Sequence, residues 1–277
     1  MTRLQNSDIN DIAEQLGRYD ASLREKTGHT LCEIACRANG VEKSSFEGRA
    51  KSTGIWVVPL DVGQGLIEDF PGTVQQIAAY MGCQAFASGN TGVAGIAEAY
   101  EQRADVIMMA DDDTFLALNT HTDCIADNAE MTARGFVTGA ELMAGGLPGV
   151  AVLIIGCGLV GGSAASVFLE SGARVSLFDI NNDRARALEA RLAGRYGKRI
   201  AVETQAPSDF SGYTILFDAS PAENVILETQ IGSTTYVSAP GVPLGMDVGA
   251  RKKLGKRLLH DPLQIGVATM VVKAVMG

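Results

Sequence analysis

Val150-Ala-Val-Leu-Ile-Ile155 runs directly into Gly156-Cys157-Gly158-Leu159-Val160-Gly161, and Gly162-Ser-Ala-Ala-Ser-Val-Phe-Leu169 continues with the character of a helix. A short apolar run of this kind reads as a parallel strand buried on both faces. In that setting the three glycines have separate physical tasks. Gly156 permits a tight turn, Gly158 lets the backbone approach a pyrophosphate at the helix N-terminus, and Gly161 lets helix and strand pack closely. Cys157, Leu159 and Val160 complete the turn and fall among the candidate cofactor contacts.

A second strand over Ala173-Arg-Val-Ser-Leu-Phe-Asp179 ends in an acid 18 residues beyond Gly161. A carboxylate there can accept hydrogen bonds from ribose hydroxyls and repels a 2'-phosphate, which favours NAD over NADP. Further strands are expected over Ile200–Glu203, Tyr213–Asp218 and Thr235–Ser238, and a helix over Asn182–Arg195. The loops beginning at Ala219 and at Ala239-Pro240-Gly241-Val242-Pro243 then fall beside the nicotinamide end of the cofactor. Arg184 or Arg186 could touch the adenosine side, although solvent exposure accounts for both more simply.

The first half of the chain repeats strand and helix. Strands are expected over Gly54–Pro59, Gln84–Ala87 and Val106–Ala110, and helices over Ser7–Leu16 (capped by Ser7), Thr30–Ala38, Thr73–Met81, Val93–Arg103 and Glu130–Met143. Lys43–Ser52 is polar and reads as a loop. Gly135 and Gly139 weaken the helix that crosses to the glycine motif. The expected architecture is α/β with two domains. An N-terminal α/β domain that binds substrate covers 1–146, a doubly wound Rossmann domain covers 147–262, and a terminal helix over 263–277 packs back to brace the two. A cleft between the halves is the expected active site.

Candidate substrate residues flank that cleft. Asp61 and Val62 follow the first strand, with glycines at 63 and 65 beyond them. Asp111-Asp-Asp113 follows the third strand. Three adjacent carboxylates resist burial and suit a cation or an ammonium group, and with no His/Cys cluster nearby an amine is preferred to a metal. Asn128 closes an irregular polar segment that also holds His121, a candidate proton shuttle. Asp261 precedes Pro262 at the start of the terminal helix, where it would sit at the cleft mouth. His29 reads as structural.

The 277 residues carry a net charge of -9 and 46% hydrophobic residues, which allows a sizeable core and gives no footing for a nucleic-acid partner. The five cysteines form no C-x-x-C pair, and Cys83 and Cys157 read as small buried residues. Without an apolar leader or a run of membrane-spanning length, a cytoplasmic protein that is not membrane-bound is expected, with a homodimer as one option.

Several separated blocks, in order, resemble the pyrrolysine-forming dehydrogenases of the PylD family over nearly the whole chain. They are Val58-Pro59 with its glycine-bearing loop, Met109-Ala-Asp111-Asp112 with Thr114-Phe-Leu-Ala117, Ile125-Ala-Asp-Asn128, the glycine motif, Pro240-Gly-Val-Pro243, and Asp261-Pro-Leu263 with Ile265-Gly266. The resemblance implies an NAD-dependent oxidation of L-lysine-Nε-(3R)-methyl-D-ornithine at the terminal amine carbon of the ornithyl part. Ammonia is lost and the α-amine closes a pyrroline ring. It implies that Asp111, Asn128 and Asp261 hold the substrate and take part in the chemistry, and that an N-terminal helix starting near Leu4 closes over it. Family members carry Ser where Val62 stands and Glu-Pro-Leu where Asp261-Pro-Leu263 stands. The competing readings are another two-domain amino-acid or shikimate-like dehydrogenase, or an NAD-binding protein without turnover. A shikimate-type site calls for a Lys–Asp pair after an early strand, and Lys51 precedes the strand here.

Overall fold

The computed structural model describes Leu4, residues 6–62, Ile67 and residues 69–277. The side chain of Ser7 and the glycines at 63 and 65 lie outside the described residues, and with them the expected cap and glycine loop. The first half contains α1 (Asn6–Ile9), α2 (Ile12–Thr27), α3 (Leu31–Ala38), α4 (Lys43–Ala50), β1 (Gly54–Pro59), α5 (Phe70–Tyr80), β2 (Gln84–Ala87), α6 (Gly92–Glu101), β3 (Val106–Ala110), β4 (Phe115–Asn119), β5 (Ile125–Asp127) and α7 (Asn128–Ala144). The second half contains β6 (Ala151–Ile155), α8 (Leu159–Glu170), β7 (Arg174–Phe178), α9 (Asn182–Tyr196), β8 (Ile200–Val202), β9 (Ile215–Asp218), β10 (Tyr236–Ala239), α10 (Val248–Leu254), β11 (Leu258–His260) and α11 (Gln264–Met276).

The second sheet is parallel throughout, in the order β11-β10-β9-β6-β7-β8. This is the doubly wound Rossmann order, and its switch point lies between β6 and β9, where the glycine turn emerges. Side-chain alternation along β6 explains the burial on both faces. Val152 and Ile154 enter the main core, while Leu153 and Ile155 enter a second core with Phe210, Ile226 and Met246.

The first sheet has the order β2-β1-β3-β4-β5. β1 pairs in parallel with β2 and β3, but β3–β4 and β4–β5 are antiparallel. The acidic triplet does follow the third strand, but an antiparallel strand comes next. Asp111 to Thr114 is the turn of a hairpin, and the segment read as irregular up to Asn128 contains β5. One expected loop is a helix, and one strand that was not expected completes the second sheet. Lys43–Ala50 is helical because Phe46 and Ala50 bury one side of it at 0% and 1% exposure. Leu258–His260 forms the sixth strand by pairing with β10, which supplies the long-range partner that a three-residue run cannot announce.

α7 and α11 join the halves. α7 packs against α8 and β10 on one side and against α3 and α11 on the other, and the Ser238 hydroxyl donates to the Phe136 carbonyl across the junction at 2.9 Å. The glycines in α7 are close-approach positions rather than weaknesses. A Cβ at Gly135 would collide with Ile265 and crowd Thr269, and one at Gly139 would collide with Leu259. No helix among the described residues is long and apolar enough to cross a membrane. All five cysteines are free thiols.

Candidate active site

The glycine turn is closed on two sides and open on the third. Gly156 has φ +92°, and a Cβ there would come 2.9 Å from the Ala219 carbonyl oxygen. A Cβ at Gly161 would collide with the Gly156 carbonyl. Around Gly158, by contrast, no atom lies within 4 Å of the Cβ position. Gly158 caps α8 with no side-chain bond to the first-turn amides. Partnerless amides at a helix N-terminus beside open space fit a dinucleotide pyrophosphate.

Asp179, at the end of β7, also braces the glycine turn. It is 6% exposed. The Cys157 amide donates to its Oδ2 and the Asn181 amide to its Oδ1, each at 2.8 Å. The carboxylate thus ties the glycine turn to the end of β7. Burial pushes the Cys157 thiol up to about 12, so it stays a neutral filler of the turn at physiological pH.

A cleft of about 420 Å³ opens between the two sheets. From the second half, Gly158, Leu159, Val160, Ala219, Pro240 and Gly241 line it. From the first half come the apolar side chains of Leu4, Phe70, Phe115 and Phe136, together with Asp112, Asn128 and Thr132. Arg184 also reaches this wall, whereas Arg186 does not. Asn128 opens α7 and is 9% exposed, and its Nδ2 lies 3.2 Å from the Met270 sulfur. Thr132 stands one turn further along the same helix face, a position that periodicity shows only after Asn128 is known to face the cleft.

Asp261 is the polar centre of the cleft lining. It is 3% exposed, yet its residue borders the cavity with Pro262, Leu263 and Gly266. The Leu263 and Ile265 amides donate to its Oδ1 at 3.0 and 3.2 Å, which fixes it to the start of α11. The Tyr19 hydroxyl donates to Oδ2 at 2.5 Å. Burial raises the Asp261 carboxyl above the ordinary carboxylate range, and the Tyr19 hydrogen bond, the neighbouring His260 and the backbone amides hold it down. Burial lowers His260, whose Nδ1 donates to the Ala239 carbonyl at 2.7 Å. Neither Tyr19 nor His260 stands out in the sequence as functional.

Three expected substrate residues fall elsewhere. Asp111 is exposed, and its Oδ1 accepts from the Asp113 and Thr114 amides at 2.9 and 2.7 Å, so it builds the hairpin turn. Its neighbour Asp112 borders the cleft instead. Asp61 and Val62 are exposed beyond the end of β1, Val62 at 51%, and do not line the cleft. His121 is remote as well, since its Nε2 lies 2.8 Å from Asp105 at the start of β3, the opposite end of that strand. His29 contacts Thr27 through Nδ1 at 3.0 Å, which is a helix-end role.

One carboxylate beneath the cleft was not singled out in the sequence. Asp218 ends β9 with 0% exposure, and its Oδ1 accepts from the Ser220 hydroxyl and amide. Its Oδ2 has no hydrogen-bond partner among the described residues. Burial pushes its carboxyl up to about 6. Because the folded value exceeds the unfolded one, this group favours folding below about pH 4 and loses that contribution as pH rises through about 6. The rise from 3.8 to about 6 corresponds to about 3 kcal/mol. D218N keeps the Ser220 contacts and removes the ionisation. Thermal melts should therefore show the variant gaining on the parent between pH 4 and 7, and parallel melting curves across that range would refute the assignment.

Comparison with known proteins agrees with this geometry. Residues 8–126 match the model for the N-terminal domain of pyrrolysine biosynthesis protein PylD. Residues 124–225 match the model for the C-terminal domain of alanine dehydrogenase/PNT. The pyrrolysine synthases of Methanosarcina barkeri and Methanosarcina acetivorans are 28% and 29% identical, over 98% of this chain and 97% and 98% of theirs. Among solved structures, quinate dehydrogenase from Corynebacterium glutamicum superposes with a TM-score of 0.52 over 80% of this chain and 92% of its own, at 13% identity, a likeness of fold. The N-terminal match and the full-length relatives agree: the chain is similar over nearly its whole length to the PylD pyrrolysine biosynthesis proteins, and its second half is an NAD-binding Rossmann domain.

Proposed function

We propose that this NAD-dependent dehydrogenase oxidises L-lysine-Nε-(3R)-methyl-D-ornithine and releases L-pyrrolysine. The observation that carries the reading is the meeting of a buried carboxylate, Asp261, with Gly158, Pro240 and Gly241 around one cavity of about 420 Å³. The substrate domain spans 1–146 together with the terminal helix, and the dinucleotide domain spans 147–262.

NAD supplies a two-electron acceptor that takes one hydride. The Asp179 carboxylate, held at the glycine turn, favours a cofactor without a 2'-phosphate through its negative charge. The ornithyl part of the substrate carries two amines, at its α-carbon and at its terminal carbon. The cleft offers two carboxylates, Asp112 and Asp261, and the reading takes Asp112 over Asp111 because Asp112 borders the cavity. Asp261 holds an ammonium group and aims the terminal C–H, Asn128 and Thr132 hold polar atoms, and the phenylalanine wall excludes water. The terminal amine must lose a proton to a carboxylate or water before hydride can leave its carbon. The resulting imine carbon is then attacked by the α-amine with loss of ammonia, or is hydrolysed to the aldehyde, which loses water on ring closure. Either route ends in the same cyclic imine, one ammonia and one reduced cofactor.

Incubating the purified protein with NAD+ and the lysyl-methylornithine amide should give equal amounts of NADH, followed by absorbance, and a pyrroline product of the expected mass. Oxidation of simple amino acids with no such product would exclude this substrate.

A further inference from the structure

We infer that Tyr19 is a positioning residue for Asp261: its phenol hydroxyl fixes the cleft-facing carboxylate in one orientation and supplies a donor that this buried anion needs. The inference rests on the reading of Asp261 as the acid that holds the substrate amine.

The geometry is specific. Asp261 Oδ1 is committed to the Leu263 and Ile265 amides, which belong to the local fold around the start of α11. Oδ2 takes its hydrogen bond from the phenol hydroxyl that arrives from α2, 242 positions away in the chain. With one oxygen anchored to the backbone and the other to a phenol, the carboxylate can neither rotate nor swing. A donor to a buried carboxylate matters more than one in water, because the desolvated anion has few other ways to be stabilised.

The charged surroundings leave Tyr19 as the side-chain hydroxyl that does this. Asp20 on α2 is occupied in accepting from the Leu31 amide. Lys26 on α2 and His260 on β11 both have pKa values lowered by burial, and Asp261 pulls each of them partly back. Arg251 on α10 acts on His260 in the opposite sense. The Tyr19 phenol is raised well above its ordinary value, first by burial and then by Asp261, so it keeps its proton and remains a donor throughout the working pH range.

Y19F removes the hydroxyl and keeps the ring. A hydrogen bond to a charged group is worth one to two pH units on its acceptor, about, and burial of Asp261 is unchanged. The profile of kcat/KM against pH with lysyl-methylornithine should therefore keep its shape while its acid limb moves up by about one to two units. Activity should drop about tenfold or more on the acid limb, against threefold or less on the plateau above it. Site-specific 3,5-difluorotyrosine at position 19, a stronger donor, should move the same limb downward, and it covers the case in which Y19F fails to fold. D261N serves as the reference. If D261N is inactive while both Tyr19 variants superpose on the parent profile, the positioning role is wrong and the reading of the site survives. If D261N retains full activity, the reading of the site is wrong, and the Tyr19 inference falls with it.

Discussion

D261N is expected to lower kcat/KM for lysyl-methylornithine by a factor of about a hundred to several thousand, with NAD affinity changed by no more than a few-fold. The magnitude follows from the environment of the residue. Asp261 is 3% exposed at the cleft wall, so in the proposed complex it would meet an ammonium group away from bulk water. Removing one partner of such a pair leaves the other buried and uncompensated, at a cost of roughly 3–5 kcal/mol. The amide of Asn fills the same volume and can still accept from the Leu263 and Ile265 amides, so the start of α11 should persist. The direction with pH follows from the raised carboxyl. On the proposed reading the anion holds the substrate ammonium group, so turnover in the parent protein should decline as pH falls through the elevated Asp261 value, and that decline should vanish from the residual activity of D261N. Steady-state kinetics across pH, with an NAD titration alongside, measures both parts. Loss of NAD affinity equal to the loss of turnover would place Asp261 in the cofactor site instead.

The second large effect separates two glycines three residues apart. G161A drives a methyl group into the Gly156 carbonyl, where backbone meets backbone and neither side can rotate away. Overpacking of this kind costs about 1–3 kcal/mol where side chains can adjust, and more where they cannot. Both thermal stability and NAD binding should fall, binding by a hundredfold or more because the turn itself opens. G158A adds the same methyl group to open space. Its melting temperature should stay within a degree or two of the parent, while NAD affinity falls at least tenfold as the methyl occupies the approach of the pyrophosphate. Differential scanning fluorimetry and a fluorescence titration of NAD check the pair. A G158A protein that binds NAD normally would show that the pyrophosphate does not approach that carbon.

Much of this is legible in the sequence because the signals are local. Strand, glycines, helix and second strand lie within 30 consecutive residues, 150–179, and each reports its own geometry. The terminal helix announces itself through Pro262 and the apolar run beyond it. What was misread depends on pairing. Asp111 follows a strand in a chain of strand–helix units, so a ligand-facing loop is the natural expectation. The antiparallel return of β4 turns the triplet into a hairpin, where Asp111 serves the turn amides and Asp112 takes the cleft side. An Asp that can bond the backbone two residues on is itself a turn signal, and the acidic repeat masks it. Tyr19 reads only as one more position on a helical face, because the partner of its hydroxyl lies at the far end of the chain. Asp179 is a mixed case. Its place after β7 is readable, whereas its capture by the Cys157 and Asn181 amides appears only when the turn is built.

The return of α11 to the first half has a consequence for how the protein is made. Residues of α11 fill the space between α3 and α7, with Ile265, Val267, Met270 and Val271 fully buried. On the ribosome, the first sheet and its helices emerge long before that segment, and the whole second sheet is synthesised in between. At typical elongation rates of about 5–20 residues per second, the face of α7 that will meet α11 waits for several seconds or more with its apolar side chains uncovered. The first half therefore completes its core only after the last strand of the second sheet has been made, with α11 as its closing element.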